Sequence, residues 1–599
     1  MPSLESDLAI TIIGGGIGGL VLALQLHADG FQKIEIFEAT PVLKPIGSGI
    51  NLQPSAVLVL RNLGLLPALE EIGVKTKELR YYNRYGHPVV SEPRGEDAGY
   101  LIPQLSLHRG MLHELLLNTV KSRLGEACIH TNHALATFSQ TDASITANFV
   151  CRSRSGNAEA ALIPSRTSDV LIAADGINST ARKLLYPDEG PPNFSGRLLW
   201  RGVSLREKPF LTGASMVWAG HADQKFIAYP VGGAAEREGK SLVNWIAELR
   251  VRSADDPDTT PPVADWGKVV EKSRFDGEFK SWTFGFLSIP ELIEETEEVS
   301  EYPMCDRTPV DRWSFGRLTL LGDAAHPLYP IGSNGASQAI LDSISLSHSL
   351  QEHASSIPDA LTAYQEARLP PTAKICYANR MNGPDHVLQL VHERAPDGFA
   401  DVGDVISKEE LEDVGKKYKV LAGFDMESVN EKARQTQGAQ KGASAYFSSN
   451  SIPPNFQAAA RAKDWKPRLN NSGPSSSWSR PSQKPCNPRP QKTGKADEQQ
   501  HRQSLTLHAS QLGPHPHHVT RRTRAVGLAI RSRRSDERLE GFQIDAVRTR
   551  PDLDTGCKCL SIKLASWCPW SIITESSEKE NLLLRPGSKH ERNRATKTG

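Results

Sequence analysis

Gly14, Gly16 and Gly19 stand in the spacing Gly-x-Gly-x-x-Gly, which is suited to holding a dinucleotide. Glycines at these positions allow a tight turn, let the backbone approach a pyrophosphate, and let the following helix pack closely on the preceding strand. The phosphates would meet a helix N-terminus, whose free N–H groups and dipole favour negative charge. Further on, Glu38 could accept hydrogen bonds from ribose hydroxyls and would repel a 2′-phosphate; its alternative is a solvated strand end. Alone, these residues indicate a dinucleotide and leave both FAD and NAD open.

The flanking elements decide whether the glycines can act in this way. Residues 8–13 form a β-branched run, Ile17 to Ala28 reads as a helix, and Lys33 to Glu38 alternates as a strand. Strand, glycine turn, helix and strand in this order are a βαβ unit. Leu8 to Leu26 is also almost uncharged and nearly long enough to span a bilayer, and Gly15-x3-Gly19 fits a transmembrane dimer face. Against that reading, Glu5 and Asp7 occupy positions where a signal peptide carries Lys or Arg, and five glycines interrupt the run.

Further along, Asn51 to Leu69 and Arg109 to Leu124 read as helices, and Ser168 to Ala174 as a strand running into Asp175-Gly176. Between Arg197 and Arg250 the period changes to 2, and four runs beginning at Leu198, Ser215, Lys225 and Ser241 read as an antiparallel sheet. Arg317 to Leu321 is a strand leading into Gly322-Asp323, and from Gly335 to about Lys432 the chain is mostly helical.

A chain of 599 residues has room for roughly three to five domain equivalents. Its net charge of +1 gives no support for a nucleic-acid or membrane partner. Cys128, Cys151, Cys305 and Cys376 are too scattered for a disulfide framework and read as buried thiols of a cytoplasmic enzyme. Cys557-x-Cys559 lacks zinc-site spacing, so no metal is expected, and no nucleophile triad is legible. Past about residue 440, Ser, Pro, Arg and His dominate, and such a segment cannot bury enough apolar surface to offset its ordering entropy. It reads as a disordered tail, as a basic interaction tail, or as translated non-coding sequence.

Two more motifs separate FAD from NAD. One is Asp175-Gly-Ile-Asn-Ser179-Thr-Ala-Arg182; the other is Gly322-Asp-Ala-Ala-His326-Pro327, followed by Pro330, Gly332 and Gly335. With the glycine loop, and in this order, they resemble the single-component FAD-dependent aromatic hydroxylases. Gly47-Ser-Gly-Ile-Asn-Leu-Gln-Pro54, Leu107-His-Arg109-Gly, Trp200-Arg-Gly-Val, Pro330-Ile-Gly-Ser-Asn-Gly-Ala and Asn382-Gly-Pro are similar to the branch containing the bacterial methylphenazine-carboxylate monooxygenase. The resemblance covers about residues 7 to 435.

It implies an α/β fold: a Rossmann-like FAD-binding domain interleaved with an antiparallel-sheet substrate domain. The divisions fall at 1–190 (FAD binding, with insertions from the substrate domain), 191–310 (substrate sheet), 311–435 (completion of the FAD domain and C-terminal helices) and 436–599 (tail). The implied cofactor contacts are the loop Gly14, Gly16, Ile17, Gly18 and Gly19; Glu38 and Ala39; and Gly49 and Arg109. Asp323 would meet the ribityl chain, Gly332, Gly335 and Ala336 the pyrimidine edge of the flavin, and Asp175 both FAD and NAD(P)H. His326 is treated as structural, and no protein residue is assigned a catalytic role.

The implied reaction uses NADPH or NADH and O2 to hydroxylate a small aromatic substrate through a flavin C4a-hydroperoxide, with the cofactor carrying most of the chemistry. Epoxidation, oxidative decarboxylation or reduction on the same fold is the alternative. No second Gly-x-Gly-x-x-Gly unit is present for a separate NADPH domain. Trp200, Met216, Tyr229 and Trp245 on the sheet, with Pro327 and Pro330, are candidate pocket residues. For each, ordinary core packing is the competing reading. Arg201 could meet a substrate carboxylate or make a structural ion pair.

Overall fold

The computed structural model describes residues 7–443, except 46, 152–160, 254, 257 and 263–267, together with 559–562 and 579–582. The β-branched run becomes the strand Ala9–Ile13, the helix is Ile17–Ala28, and the alternating segment is the strand Lys33–Glu38. Ala9–Ile13 lies inside a six-stranded sheet in the order Ser314–Phe315, Leu318–Leu320, Val170–Ala173, Ala9–Ile13, Lys33–Glu38, Ile129–Thr131. All its pairings are parallel except that of Ser314–Phe315. A strand buried on both faces needs a near-continuous apolar run, which Ile10, Ile12 and Ile13 supply with Thr11 buried among them.

The helix Ile17–Ala28 is apolar on every side because it is enclosed on every side. It packs on the helices Arg109–Leu124 and Gly335–Glu352, and Leu20, Val21, Leu22, Leu24 and Leu26 are fully buried. Each such side chain stabilises the fold by roughly 1.5–3 kcal/mol. The same apolarity made residues 8–26 look like a membrane span. Among the described residues no helix is long and apolar enough to cross a membrane.

Three local expectations are corrected. Asn51 to Leu69 is not one helix: Gly49–Leu52 is a strand antiparallel to Gln104–His108, and the helix Pro54–Asn62 is separated by a turn from Leu66–Ile72. Proline suits a helix start, where its missing N–H is not needed, so Pro54 and Pro67 mark two beginnings. Ser168 to Ala174 is likewise divided. Ser168 ends the strand Ala161–Ser168 of a small three-stranded sheet, and the strand of the parallel sheet begins at Val170. Cys151 is only half-buried, whereas Cys128, Cys305 and Cys376 are buried.

The large sheet has eight strands, in the order Lys268–Val270, Val299–Asp306, Asn193–Arg206, Ser241–Arg250, Gln224–Pro230, Ser215–His221, Glu78–Tyr82, Pro88–Pro93. It is antiparallel except where Ser215–His221 pairs with Glu78–Tyr82. Those two parallel neighbours are far apart in sequence, so the four-run reading missed half of the sheet. Side chains alternate between its faces. Val217, Phe226, Val243 and Trp245 pack beneath Phe275, Phe279 and Trp282, whereas Met216, Trp218, Ile227 and Tyr229 occupy the opposite face.

A buried ion cluster joins the sheet to the turn containing Asn382-Gly-Pro. Lys225 Nζ lies 2.6 Å from Asp385 and 3.3 Å from Glu248, Arg197 lies 3.5 Å from Glu248, and Arg197 donates to Asn382 Oδ1 at 2.9 Å. The two cations and two carboxylates balance. Cys559–Ile562 and Lys579–Leu582 are a parallel strand pair in a second unit of the chain, and the helix Met426–Ala443 runs past the expected end of the body. The rest of the tail reading lies outside the described residues.

Replacing Lys225 with Ala leaves buried Asp385 without its cation and Glu248 with Arg197 alone, so we expect a loss of about 3–5 kcal/mol. Chemical denaturation at neutral pH checks this.

Candidate active site

The glycine loop is held from both sides. Gly14 has φ +108°, and a methyl there would stand 2.3 Å from the Ala174 carbonyl oxygen; a methyl on Gly19 would stand 2.1 Å from that of Gly14. Both positions therefore exclude any larger residue. Over Gly16 there is nothing within 4 Å, so the loop presents its backbone to open space. Glu38 accepts the N–H groups of Gly15 at 2.9 Å and Thr40 at 2.8 Å. Beneath the loop, His113 reaches the Gly15 carbonyl through Nε2 at 2.7 Å. Burial lowers the His113 pKa, so the neutral ring donates this bond at neutral pH.

A second wall comes from the turn after Leu318–Leu320 and from the helix Gly335–Glu352. Asp342, fully buried on that helix, accepts from Gly322 N at 3.1 Å, meets His326 Nε2 at 2.5 Å, and accepts from Arg368 Nε at 2.7 Å. Burial by itself would raise the Asp342 pKa, but His326 and Arg368 hold it down at about 2. The neighbouring Asp323 reaches the open space, and desolvation by the surrounding protein raises its pKa against the pull of His326 and Arg109. Gly332 (φ +70°) and Ser333 (φ +53°) are successive left-handed residues beside the cleft, a conformation that glycine adopts freely and that strains the serine. Tyr418 packs directly on Gly332, accepts from Asn334 Nδ2 at 3.2 Å, and donates to Asn379 Oδ1 at 2.8 Å.

The third wall is the inner face of the large sheet. Asn244 Oδ1 accepts the Gly49 N–H at 2.6 Å, tying the sheet to the cleft edge. Between the walls lies a cleft of about 340 Å³. Gly16, Ile17, Gly18, Gly49 and Arg109 line one side of it. Asp323, Pro330, Gly335 and Ala336 line another, and Arg201, Tyr229 and Ile246 a third. The N-termini of Ile17–Ala28 and Gly335–Glu352 both point into it, which suits an anionic ligand. Ser333 also borders an inner cavity, walled by Tyr81, Gln104, Met216 and Trp218, with about 30 Å³ of free space.

A family described as FAD binding domain matches residues 7–378. The chain belongs to that family. Among its relatives, phenazine 1,6-dicarboxylic acid hydroxylase of Lysobacter antibioticus is 38% identical over 375 residues, covering 62% of this chain and 89% of that protein. The 3-hydroxybenzoate 6-hydroxylase of Polaromonas naphthalenivorans is 28% identical over 386 residues, covering 63% and 88%. A solved salicylate hydroxylase in complex with substrate shares the fold, with a TM-score of 0.54 at 22% identity over 72% of this chain and 98% of that one. FAD is therefore the cofactor, and the chain is a flavin-dependent monooxygenase.

The residues present fit FAD: an open backbone loop, two helix N-termini, and a carboxylate reaching the open space between them. Several of the expected contact residues lie outside the lining of the cleft. Gly14 and Gly19 shape the loop from behind, while Glu38 and Ala39 lie beside it at the strand end. Gly332 borders the inner cavity. Asp175 turns away from the cleft; its carboxylate accepts from Thr180 N at 2.7 Å and Ala181 N at 3.4 Å, and Gly176 lines the cleft instead.

Trp245 is corrected as a pocket residue. It sits on the outer face of the sheet, with its Nε1 donating to Thr296 Oγ1 at 2.7 Å. Trp200 points the same way, stacking on Phe275 and donating to Glu301 at 2.9 Å. Strand register explains both: Trp200 and Trp245 have the opposite parity to Arg201 and Ile246, which pair across the sheet and line the cleft. Met216 lines the inner cavity, and His326 is bound to Asp342. The sequence reading missed His113, Asn244, Asp342 and Tyr418. The first two act on glycine-loop and cleft-edge backbone far away in sequence, so no local pattern marks them.

Replacing Gly19 with Ala forces a methyl against backbone that cannot yield. We expect about 1–3 kcal/mol of destabilisation and loss of yellow colour from the purified protein, read from flavin absorbance per chain. Replacing Asp342 with Asn should cost roughly 3–5 kcal/mol at neutral pH. Because the Asp342 pKa is depressed on folding, its contribution is present above about pH 4 and is lost as pH falls towards about 2. The stability gap between the two proteins should therefore shrink over that range, as denaturation curves at several pH values would show.

Proposed function

We propose that this chain hydroxylates a planar aromatic acid, using NAD(P)H as reductant and O2 as oxidant, in the cytoplasm. The observation that carries this reading is the position of Ser333, which borders both the FAD cleft and the inner cavity. A ring held between Tyr81, Met216 and Trp218 would lie next to the loop that faces the flavin. The relative that acts on a phenazine dicarboxylic acid supports a fused aromatic acid as substrate class.

Bound FAD supplies the hydride acceptor and the means of activating O2. The chain supplies position and electrostatics. The glycine loop and the helix Ile17–Ala28 would hold the pyrophosphate, with Glu38 available to the ribose. The N-terminus of Gly335–Glu352, with Gly335 and Ala336 foremost, would stabilise negative charge at the flavin's pyrimidine edge. Asp323 would take the ribityl hydroxyls. Arg201 brings a guanidinium to the cleft, its Cζ 5.3 Å from the centre of the Tyr302 ring and its Nε buried without a hydrogen-bond partner, and so offers a donor to a substrate oxygen. The cavity is small, with about 30 Å³ of free space, so a bound ring would leave little room for water, as a reaction prone to release hydrogen peroxide requires.

Purified protein should be yellow and should oxidise NAD(P)H faster when an aromatic acid is added. One 18O atom from labelled O2 should appear in the product by mass spectrometry. Product without label would replace hydroxylation with reduction on the same fold.

A further inference from the structure

The inner cavity has about 30 Å³ of free space, room for about one water, so an aromatic ring enters only if a wall moves. One wall is thin. Glu92, Gly415 and Lys419 border both this cavity and an outer groove of about 590 Å³ that lies against the edge strand Pro88–Pro93 and the helix Lys408–Leu421. The partition is an ionic latch: Glu92 Oε2 lies 3.0 Å from Arg94 and 3.2 Å from Lys419 Nζ, linking strand to helix.

The latch is poised for exchange. It holds two cations to one carboxylate, so it carries a net positive charge. Asp385, which also borders the cavity, is already paired with Lys225 at 2.6 Å. Arg94 Nε is buried with no hydrogen-bond partner, leaving one donor unused. Gly415 sits inside a helix, where glycine is unfavourable, and a methyl there would lie 3.1 Å from Glu92 Oε1, so the glycine keeps room for the carboxylate. The strand carrying Glu92 is paired on one side only, which makes it the freest wall to shift.

We propose that Arg94 and Lys419 form an anion-recognition end of the substrate site, opened when the carboxylate of an aromatic acid takes over the place of Glu92. The proposal rests on the hydroxylase reading above. It makes Glu92 an internal competitor of the substrate: a resident carboxylate that closes the cavity when no acid is present and yields to one that is.

The test is titration of the FAD-loaded enzyme with phenazine-1,6-dicarboxylate and with the neutral phenazine-1,6-dicarboxamide, followed by flavin absorbance. The acid should bind at least roughly tenfold more tightly than the amide, as expected of charge-assisted hydrogen bonds. Arg94→Gln and Lys419→Gln should each weaken the acid by about tenfold and leave the amide unchanged. Glu92→Gln should tighten the acid, a gain that a merely structural ion pair would not produce. Flavin content reports folding, and Lys419, the more exposed cation, keeps the test available if Arg94→Gln does not fold. An acid that fails to outbind the amide, or that binds more weakly to Glu92→Gln, overturns the proposal. Failure of the hydroxylase reading looks different: no aromatic, charged or neutral, would stimulate NAD(P)H oxidation.

Discussion

Much of the site hangs on one buried carboxylate. Asp342 has no access to water, and three elements converge on it: the backbone of Gly322, the ring of His326 and the guanidinium of Arg368. Gly322 and His326 flank the turn that presents Asp323, Arg368 belongs to the helix Ile357–Arg380, and Asp342 itself lies on the helix whose N-terminus enters the cleft. A charge so deeply buried is tolerable only with its partners in place. That requirement sets the geometry of one wall of the cleft.

The opposite wall obeys a different constraint. A sheet can face a cofactor only if its other face is closed, and the aromatic cluster around Phe275, Phe279 and Trp282 closes it. The balanced charges of Lys225, Asp385, Glu248 and Arg197 then join the sheet to the turn at Asn382–Asp385. Tyr418 reaches from the helix Lys408–Leu421 to the Gly332 loop and links this side to the first wall. The inner cavity lies where these supports meet, and its outer boundary is the ionic partition of Glu92, Arg94 and Lys419.

What was legible in the sequence was short-range. The spacing of Gly14, Gly16 and Gly19, the strand before them and the helix after them are consecutive, and each obeys a rule of backbone geometry that holds wherever the segment lies. The helices Ile17–Ala28 and Arg109–Leu124 match their expected limits for the same reason. The reading failed where one residue satisfied two patterns. Asn51 and Leu52 fit the helical period, yet pair as a strand with Gln104–His108. Trp245 was chosen for being aromatic, although its alternation with Ile246 already placed the two on opposite faces.

By itself, therefore, the sequence determined the βαβ unit and the glycine loop, because local sterics and hydrogen bonding dictate them, and its motifs in their order marked the resemblance to the family. Only the tertiary structure decided which face of the large sheet meets the cleft and that Glu78–Tyr82 joins it. It also decided that Asp175 holds a helix start while Gly176 lines the cleft, and that Glu92 and Lys419 meet across a cavity. Apart from the Asp175 contacts with Thr180 and Ala181, these outcomes depend on residues far apart in sequence, as Glu78 is from Ser215 and Glu92 from Lys419. Burial and charge pairing select such contacts only once the whole chain has packed.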